Sequence, residues 1–520
     1  MNILPTRRKF HILARSGHRV PVAACLPLES DARSLFEAVA FDPPHVLLES
    51  ARVHPVTGRY SLIVGEPIKT LTAFGDQVRI QEKGREQSLS ADPFTVMGDL
   101  LRSNPAVRVP GLPPFVGGAV GVIGFEAARM LERIPSRAQD DLHLPDLAFL
   151  FCDEAIVLDH LERKLWVIAL DRSYDRAVEK IEHLADRIRP PRTGRDKQAS
   201  EAERPRCPEP KARDERDRRL SEEPRWGDER PAVPPGSTGG LISTHTQASF
   251  EAMVRRAKEF IAAGDIYQTN LSQRFTVPLR EDPWQLYRRL TEINPSPFAA
   301  FVDLGFAQIV SASPERFIRV QRDRIETRPI AGTRPKGKTT VETARLRKEL
   351  ILNEKERAEH LMLVDLERND LGRVCRYDTV EVDDLMAMEE YSHVIHIVSN
   401  VRGKLRPGVG FKDLMKAAFP GGTISGCPKV RCLEIIDELE PVRRHFYTGS
   451  LGYLSATGDM DMNLLIRTAV IQGGQAHIQA GAGIVADSDP SREYDETLHK
   501  AQALLETIGA VHAEPAACPV

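Results

Sequence analysis

The sequence predicts a layered α+β fold. Three observations carry this: short β-branched runs come in clusters, helical periodicity falls between the clusters, and neither a fixed-period repeat nor a regular strand–helix alternation runs along the chain. In order, 60–64 (Tyr-Ser-Leu-Ile-Val) and 155–158 (Ala-Ile-Val-Leu) read as strands. A helix is expected over 176–189, because Ala177, Ile181, Leu184 and Ile188 share one face. Next comes 190–240, dense in Arg, Asp, Glu and Pro and poor in apolar residues. It has too little to bury to offset ordering entropy, so it reads as a disordered, solvated insertion. Beyond it, a helix over 247–263 stops at Gly264, strands follow at 300–303, 308–311 and 316–320, and 341–365 reads as one long helical region. The chain therefore divides into an N-terminal region 1–189, the insertion 190–240, a second region 241–510 and a tail 511–520.

Composition narrows the function classes. With 41% hydrophobic and 28% charged residues and a net charge of −3, the 520-residue chain has ordinary globular content and no electrostatic pull toward nucleic acid. No apolar run approaches a membrane span, and 1–19 lacks the apolar stretch of a secretory leader. Seven scattered cysteines without a Cys-x-x-Cys suit reduced thiols in the cytoplasm, with no disulfide framework or zinc site.

Two glutamate pairs stand out, Glu356 with Glu359 and Glu493 with Glu496, each spaced i,i+3. On a helix each pair shares a face, where like charges gain nothing unless a hard divalent cation such as Mg2+ sits between them. Taken alone, such pairs are more often solvated helix faces. Three small-residue segments lie in the same half. Residues 328–338 carry Arg328, Arg334, Lys336 and Lys338 around Gly332 and Thr333, and 419–431 is a Gly-rich turn entering a helix. Both read as anion grips. The third, 479–485, directly precedes the second glutamate pair. Gly118, Gly121 and Gly124 have the wrong spacing for a dinucleotide fingerprint and read as close backbone packing.

Taken in order, Pro-Ile-Ala-Gly-Thr-Arg-Pro (329–335), Glu-x-x-Glu-His-Leu-Met-Leu-Val-Asp-Leu-x-Arg-Asn-Asp (356–370), Gly-Thr-x-Ser-Gly-x-Pro-Lys-Val-Arg (422–431) and Gly-Ala-Gly-Ile-Val (481–485) resemble the chorismate-utilising enzymes. That family holds anthranilate synthase component I, aminodeoxychorismate synthase component I, and the isochorismate and salicylate synthases. The resemblance is dense over 247–508 and looser over 20–188. It implies a sandwich-like core of antiparallel sheets flanked by helices, as in anthranilate synthase component I. It implies Mg2+ held chiefly by Glu359 and Glu496, with Glu356 and Glu493 acting through waters, and chorismate as substrate. It makes Glu315 the acid for the C4 hydroxyl and puts Gln268, Ala331, Thr333 and His396 around the reacting ring. Thr423, Tyr453, Arg467, Lys500 and the Ala482–Gly483 backbone match substrate contacts. Without the family, His396 would read as a satisfied core histidine, Arg467 as an ordinary ion pair and Tyr453 as a core aromatic.

Two positions bear on the branch. The water-using members carry a lysine base at the place of Gln268; glutamine cannot deprotonate water, so ammonia is the expected nucleophile. Many aminodeoxychorismate synthases carry a lysine nucleophile at the place of Ala331; alanine leaves C2 open to ammonia and favours anthranilate. The stretches 267–275, 313–317 and 458–463 look more like the aminodeoxychorismate branch. Anthranilate synthase component I therefore stands first, aminodeoxychorismate synthase component I as the alternative, and a non-catalytic chorismate-binding regulator as the reading of another class. Leu48, Glu49 and Ser50, with Asn294, Pro295 and Ser296, resemble a feedback tryptophan site. No Gly-x-Cys-x-Gly elbow is present, so a separate class I glutamine amidotransferase subunit is expected to supply ammonia.

Overall fold

The computed structural model describes residues 2–53, 57–188, 240–337, 339–390, 394–509 and 516–517. The charged insertion (save Gly240) and most of the tail lie outside these residues. Two large sheets make up the centre. One, of fourteen strands, runs from Asn2–Leu4 through His45–Glu49, Phe298–Asp303 and Gln475–Ile484 to Gln268–Pro278 and a short edge beyond. The other, of twelve, runs from Ile330–Pro335 through Val394–Lys404, Arg316–Gln321, Ser450–Ser455 and Gly118–Ile123 to Arg85–Ser90. Among the described strands of the two sheets, pairing is antiparallel except between Ile242–Ser243 and Ala516–Ala517. Both sheets take strands from before and after the insertion: Leu48 lies opposite Ala300 in the first, and Gly121 opposite Gly452 in the second.

The central strands read as continuous apolar runs because both of their faces are covered, whereas the edges Arg85–Ser90 and Glu381–Glu390 are exposed or polar. In Tyr60–Val64, Leu62 joins Val120, Val122 and Leu451 in the apolar layer between the sheets. Its neighbour Ile63 points the other way, against helices carrying Phe10, Leu35, Ile181 and Leu286. The outer face of the second sheet is covered by helices bearing Phe94, Met415 and Leu433. The result is four layers, helix–sheet–sheet–helix, as expected. Burying such faces at about 25 cal/mol per Å² of apolar surface is the main force holding the layers together.

The 118–124 glycines pack as the sequence reading had them. A Cβ on Gly121 would lie 2.1 Å from the Ala148 carbonyl oxygen, and one on Gly452 opposite it 2.1 Å from that of Asp461. Two expectations change. The helix expected over 341–365 is two helices, Thr340–Leu352 and Glu354–Gly372. Asn353 leaves helical geometry (ψ 112°) and its side chain accepts the Glu356 N–H at 3.0 Å, capping the second helix. Likewise, 419–431 does not run straight into a helix. It makes a short turn Gly422–Ser425, a bridge in which Cys427 pairs with Gln268, and only then the helix Lys429–Leu439.

Candidate active site

Strand Gln268–Pro278 pairs with Gln475–Ile484, putting Asn270 opposite Gly483 and Ser272 opposite Gly481. The small residues here serve close approach. A Cβ on Gly483 would stand 2.8 Å from Gln268 Nε2, and one on Gly481 would stand 2.5 Å from Asn270 Oδ1 and 2.9 Å from the Tyr447 hydroxyl. Helix Pro490–Ile508 packs beside this strand pair, and Lys500 donates to the Gly481 carbonyl at 3.0 Å. Among the described residues, Gln268 Oε1 and Asn270 Oδ1 are buried without a hydrogen-bond partner. Both oxygens are therefore able to accept from the polar groups of a ligand.

Glu315 sits between strands Gln308–Ser313 and Arg316–Gln321 and is buried. Its carboxyl accepts the Ile330 N–H at 3.5 Å. Burial pushes it up to about 8, against the pull of Thr423, Ile330 N–H and Lys500 and with the help of nearby Glu367. It therefore carries a proton at neutral pH. Thr423 stands beside it without closing a hydrogen bond of ordinary geometry.

His396 lies on Val394–Lys404, opposite Thr333, with Nδ1 3.4 Å from the Gly332 carbonyl. Burial, with Arg467 nearby, holds it down at about 4, so it is neutral. Ala331 pairs with Ile397 just before the left-handed turn at Gly332 (φ 73°). Arg467 is half-buried. Burial alone keeps its guanidinium below the ordinary range, and no acidic residue among the described ones pairs with it. Removing a cation from water without a partner is costly, so such an arginine is poised for an anionic ligand.

The two glutamate pairs lie near enough for their charges to act on one another. Glu356 and Glu359 lie in the first turns of Glu354–Gly372, and Glu493 and Glu496 in those of Pro490–Ile508. Burial raises Glu359, and the charges of Glu356, Glu493 and Glu496 raise it further against Lys355. Some of this charge is taken up internally: Arg334 lies 2.9 Å from Glu356, and Lys500 2.7 Å from Glu496. Among the described residues, no three acidic, histidine or cysteine side chains already close on one point at metal-ligand geometry. The donor set is nonetheless all carboxylate oxygen crowded by its own charge, which fits a hard divalent cation.

Of the anion grip expected at 328–338, two arginines are corrected; Lys338 lies outside the described residues. Arg328 binds Glu389 (2.5 Å) and Asp384 (3.1 Å), and Arg334 binds Glu349 (3.3 Å) as well as Glu356. The acidic strand Glu381–Glu390 and the two helices supply carboxylates to both arginines, leaving neither free for a small anion.

Tyr453 is also corrected. It lies in Ser450–Ser455 opposite Val120 and Asp461 and lines a separate cavity of about 210 Å³. The site at Gly481 receives Tyr447 instead. The second cavity is bounded by Leu48, Glu49 and Ser50, so those three residues do share a pocket, with Pro297, Phe298 and Ala299 rather than Asn294–Ser296 completing that wall. Glu49 is already tied to the Tyr287 hydroxyl (2.5 Å) and Arg33 (3.1 Å).

Sequence reasoning thus missed Tyr447 and Asn270. Tyr447 hides in Phe446-Tyr447, which reads as core. Asn270 had a usable signal, the polar alternation Gln268, Asn270, Ser272, Arg274 along one strand face.

A family model for chorismate binding enzymes matches residues 58–506. Anthranilate synthase component 1 of Thermus thermophilus is 44% identical over 426 residues, 81% of this chain and 84% of its own. Aminodeoxychorismate synthase component 1 of Bacillus subtilis is 41% identical over 495 residues, 94% of this chain and 97% of its own. The crystal structure of anthranilate synthase component I from Streptococcus pneumoniae matches with a TM-score of 0.71 and 32% identity, covering 87% of this chain and 93% of that one.

Proposed function

The chain belongs to the chorismate-binding enzyme family, and we propose that it aminates chorismate at C2 with ammonia and then releases pyruvate, giving anthranilate. Chorismate and ammonia go to anthranilate, pyruvate and water. The observation that carries the choice of product is Ala331. It stands on the strand beside His396 with no group able to attack C2, so ammonia itself is the nucleophile. Glu315 gives its proton to the departing C4 hydroxyl, which leaves as water; a carboxyl at about 8 is suited to that donation at neutral pH. Arg467, with no acidic partner among the described residues, takes a substrate carboxylate, and the orphan oxygens Gln268 Oε1 and Asn270 Oδ1 accept from the hydroxyl or the incoming ammonia. His396, neutral, serves as a hydrogen-bond partner and adds no second positive charge.

Glu356, Glu359, Glu493 and Glu496 would hold Mg2+, which when bound neutralises the ring carboxylate and eases loss of the hydroxyl. Ammonia would come from a separate glutamine amidotransferase subunit, so the chain alone should use ammonium but not glutamine.

The test is direct. Purified chain with chorismate, Mg2+ and ammonium should yield blue-fluorescent anthranilate and equimolar pyruvate. No loss of chorismate would refute the enzyme reading and favour a binding protein. A second reading, amination at C4 to aminodeoxychorismate, draws support from the Bacillus subtilis relative and from 267–275. Product that becomes 4-aminobenzoate on adding a lyase would establish that reading instead.

A further inference from the structure

We propose that Glu367 is a positioning residue for the reaction. It grips the Gly422–Ser425 turn against the helix Glu354–Gly372 and so fixes Thr423 beside Glu315. This rests on the reading above only for the name of the reaction.

Glu367 is buried two turns beyond Glu359 on the same helix. Its carboxyl faces the Gly422 backbone N–H, which favours the ionised form, without closing a hydrogen bond of ordinary geometry. The turn sits directly on the helix: a Cβ on Gly422 would come 2.5 Å from Leu366 Cδ2 and 3.6 Å from Glu367 Oε1. Thr327, whose hydroxyl donates to the Phe317 carbonyl at 2.9 Å, also stands near the carboxyl. The far end of the segment is clamped as well. Lys429 binds Asp370 and the Ala418 carbonyl, each at 2.7 Å.

The charged groups around this pair are few. Asp370 faces Glu367 from its own helix and Lys429 from the helix Lys429–Leu439; Arg373 faces Asp370; Lys500 faces Glu315. Burial, reinforced by Asp370, raises the Glu367 carboxyl. Once ionised, its negative charge makes it harder for Glu315 to lose its proton. Glu367 thereby helps keep the acid protonated in the range where the reaction needs it.

Three variants test this. Glu367→Ala should lower kcat by about 10-fold with a smaller change in KM for chorismate, the size expected for losing one buried positioning contact. Glu367→Gln keeps an acceptor for Gly422 N–H but no charge. It should retain kcat within about 3-fold, while the alkaline limb of kcat against pH moves down by about half a unit or more. The Glu315 carboxyl band, identified by infrared difference against Glu315→Gln, should titrate at lower pH in Glu367→Gln. That readout needs no turnover: if the unaltered chain fails to consume chorismate, the functional reading fails while the infrared titration still decides the role of Glu367. Should Glu367→Ala lose cooperative unfolding, the Gln variant carries the test. An unmoved Glu315 titration in Glu367→Gln, or unaltered kcat in a folded Glu367→Ala, overturns the proposal.

Discussion

Lys500 Nζ lies 2.7 Å from Glu496 Oε1 and donates to the Gly481 carbonyl at 3.0 Å. One ammonium thus joins a carboxylate of the acidic quartet to the glycine strand at which Gln268, Asn270 and Tyr447 converge. The spacing between the quartet and this strand is set by a single helix face rather than by a loop, which is how a site gains precision.

Because the quartet is all carboxylate, replacing one oxygen donor by an amide should cost metal-dependent chemistry and little else. Glu359→Gln and Glu496→Gln should each lower kcat/KM for chorismate by about 100-fold or more at millimolar Mg2+. Circular dichroism and the midpoint of thermal unfolding should stay near those of the unaltered chain. Near-normal rates in both variants would remove the quartet from the mechanism.

Glu315 makes separate predictions for rate and for stability. As the proton donor it must be protonated, so kcat should fall as pH rises through about 8. Folding raises this carboxyl, so between its ordinary value of 4.5 and about 8 the folded chain holds a proton that the unfolded chain has released. Stability from this group therefore declines as pH rises through that window. Glu315→Gln should lose turnover by about 100-fold or more, yet melt no lower than the unaltered chain at pH 8 to 9. A lower melting point there would mean the carboxyl is tied by contacts other than those seen.

The two tyrosines separate the site from the second cavity. Tyr447→Phe should reduce kcat/KM by about 10-fold, since the hydroxyl at Gly481 is lost. Tyr453→Phe should stay within about 2-fold, because Tyr453 faces the other cavity. The reverse pattern would restore the assignment drawn from sequence.

What could be read from the chain follows from which contacts are local. The i,i+3 glutamates sit on helices whose periodicity and caps lie in the same few residues, so their placement was legible. So were the strands with both faces buried, which announce themselves as unbroken apolar runs such as 60–64. Tyr447 and Tyr453 differ only in which layer their backbone turns toward. That depends on pairing with Val120 and Asp461, far away in sequence or across a hairpin, and no local pattern encodes it. The ion pairs that occupy Arg328 and Arg334 were equally out of reach, being made with a strand and two helices downstream. The break at Asn353 had a signal, an Asn before Glu-Lys-Glu, that the surrounding helical pattern masked.

Two neighbouring glycines should respond differently to alanine. At Gly483 the nearest obstacle is Gln268 Nε2, the far end of a flexible side chain, at 2.8 Å. At Gly481 the Cβ would also meet the Leu271 carbonyl oxygen at 2.8 Å, and a strand backbone cannot step aside. Gly481→Ala should lose about 1–3 kcal/mol of stability by overpacking, read from denaturant unfolding. Gly483→Ala should fold normally but raise KM for chorismate, since the displaced Gln268 side chain fills the space near the orphan oxygens. Equal stability losses would mean that the strand pair is looser than its register implies.

Arg467 gives the sharpest separation of binding from folding. A half-buried guanidinium with no acidic partner among the described residues costs the fold something and has no structural contact to lose as an ion pair. Arg467→Met, similar in length and neutral, should therefore unfold at the same temperature or higher. Its chorismate affinity should fall by about 100-fold, the scale of losing a desolvated charge pair with a carboxylate. The same reasoning predicts that benzoate, a carboxylate without reactive groups, raises the unfolding temperature of the unaltered chain and not that of the Met variant. Destabilisation by Arg467→Met, with benzoate still protecting it, would show that the arginine serves the fold and that the substrate carboxylate docks elsewhere.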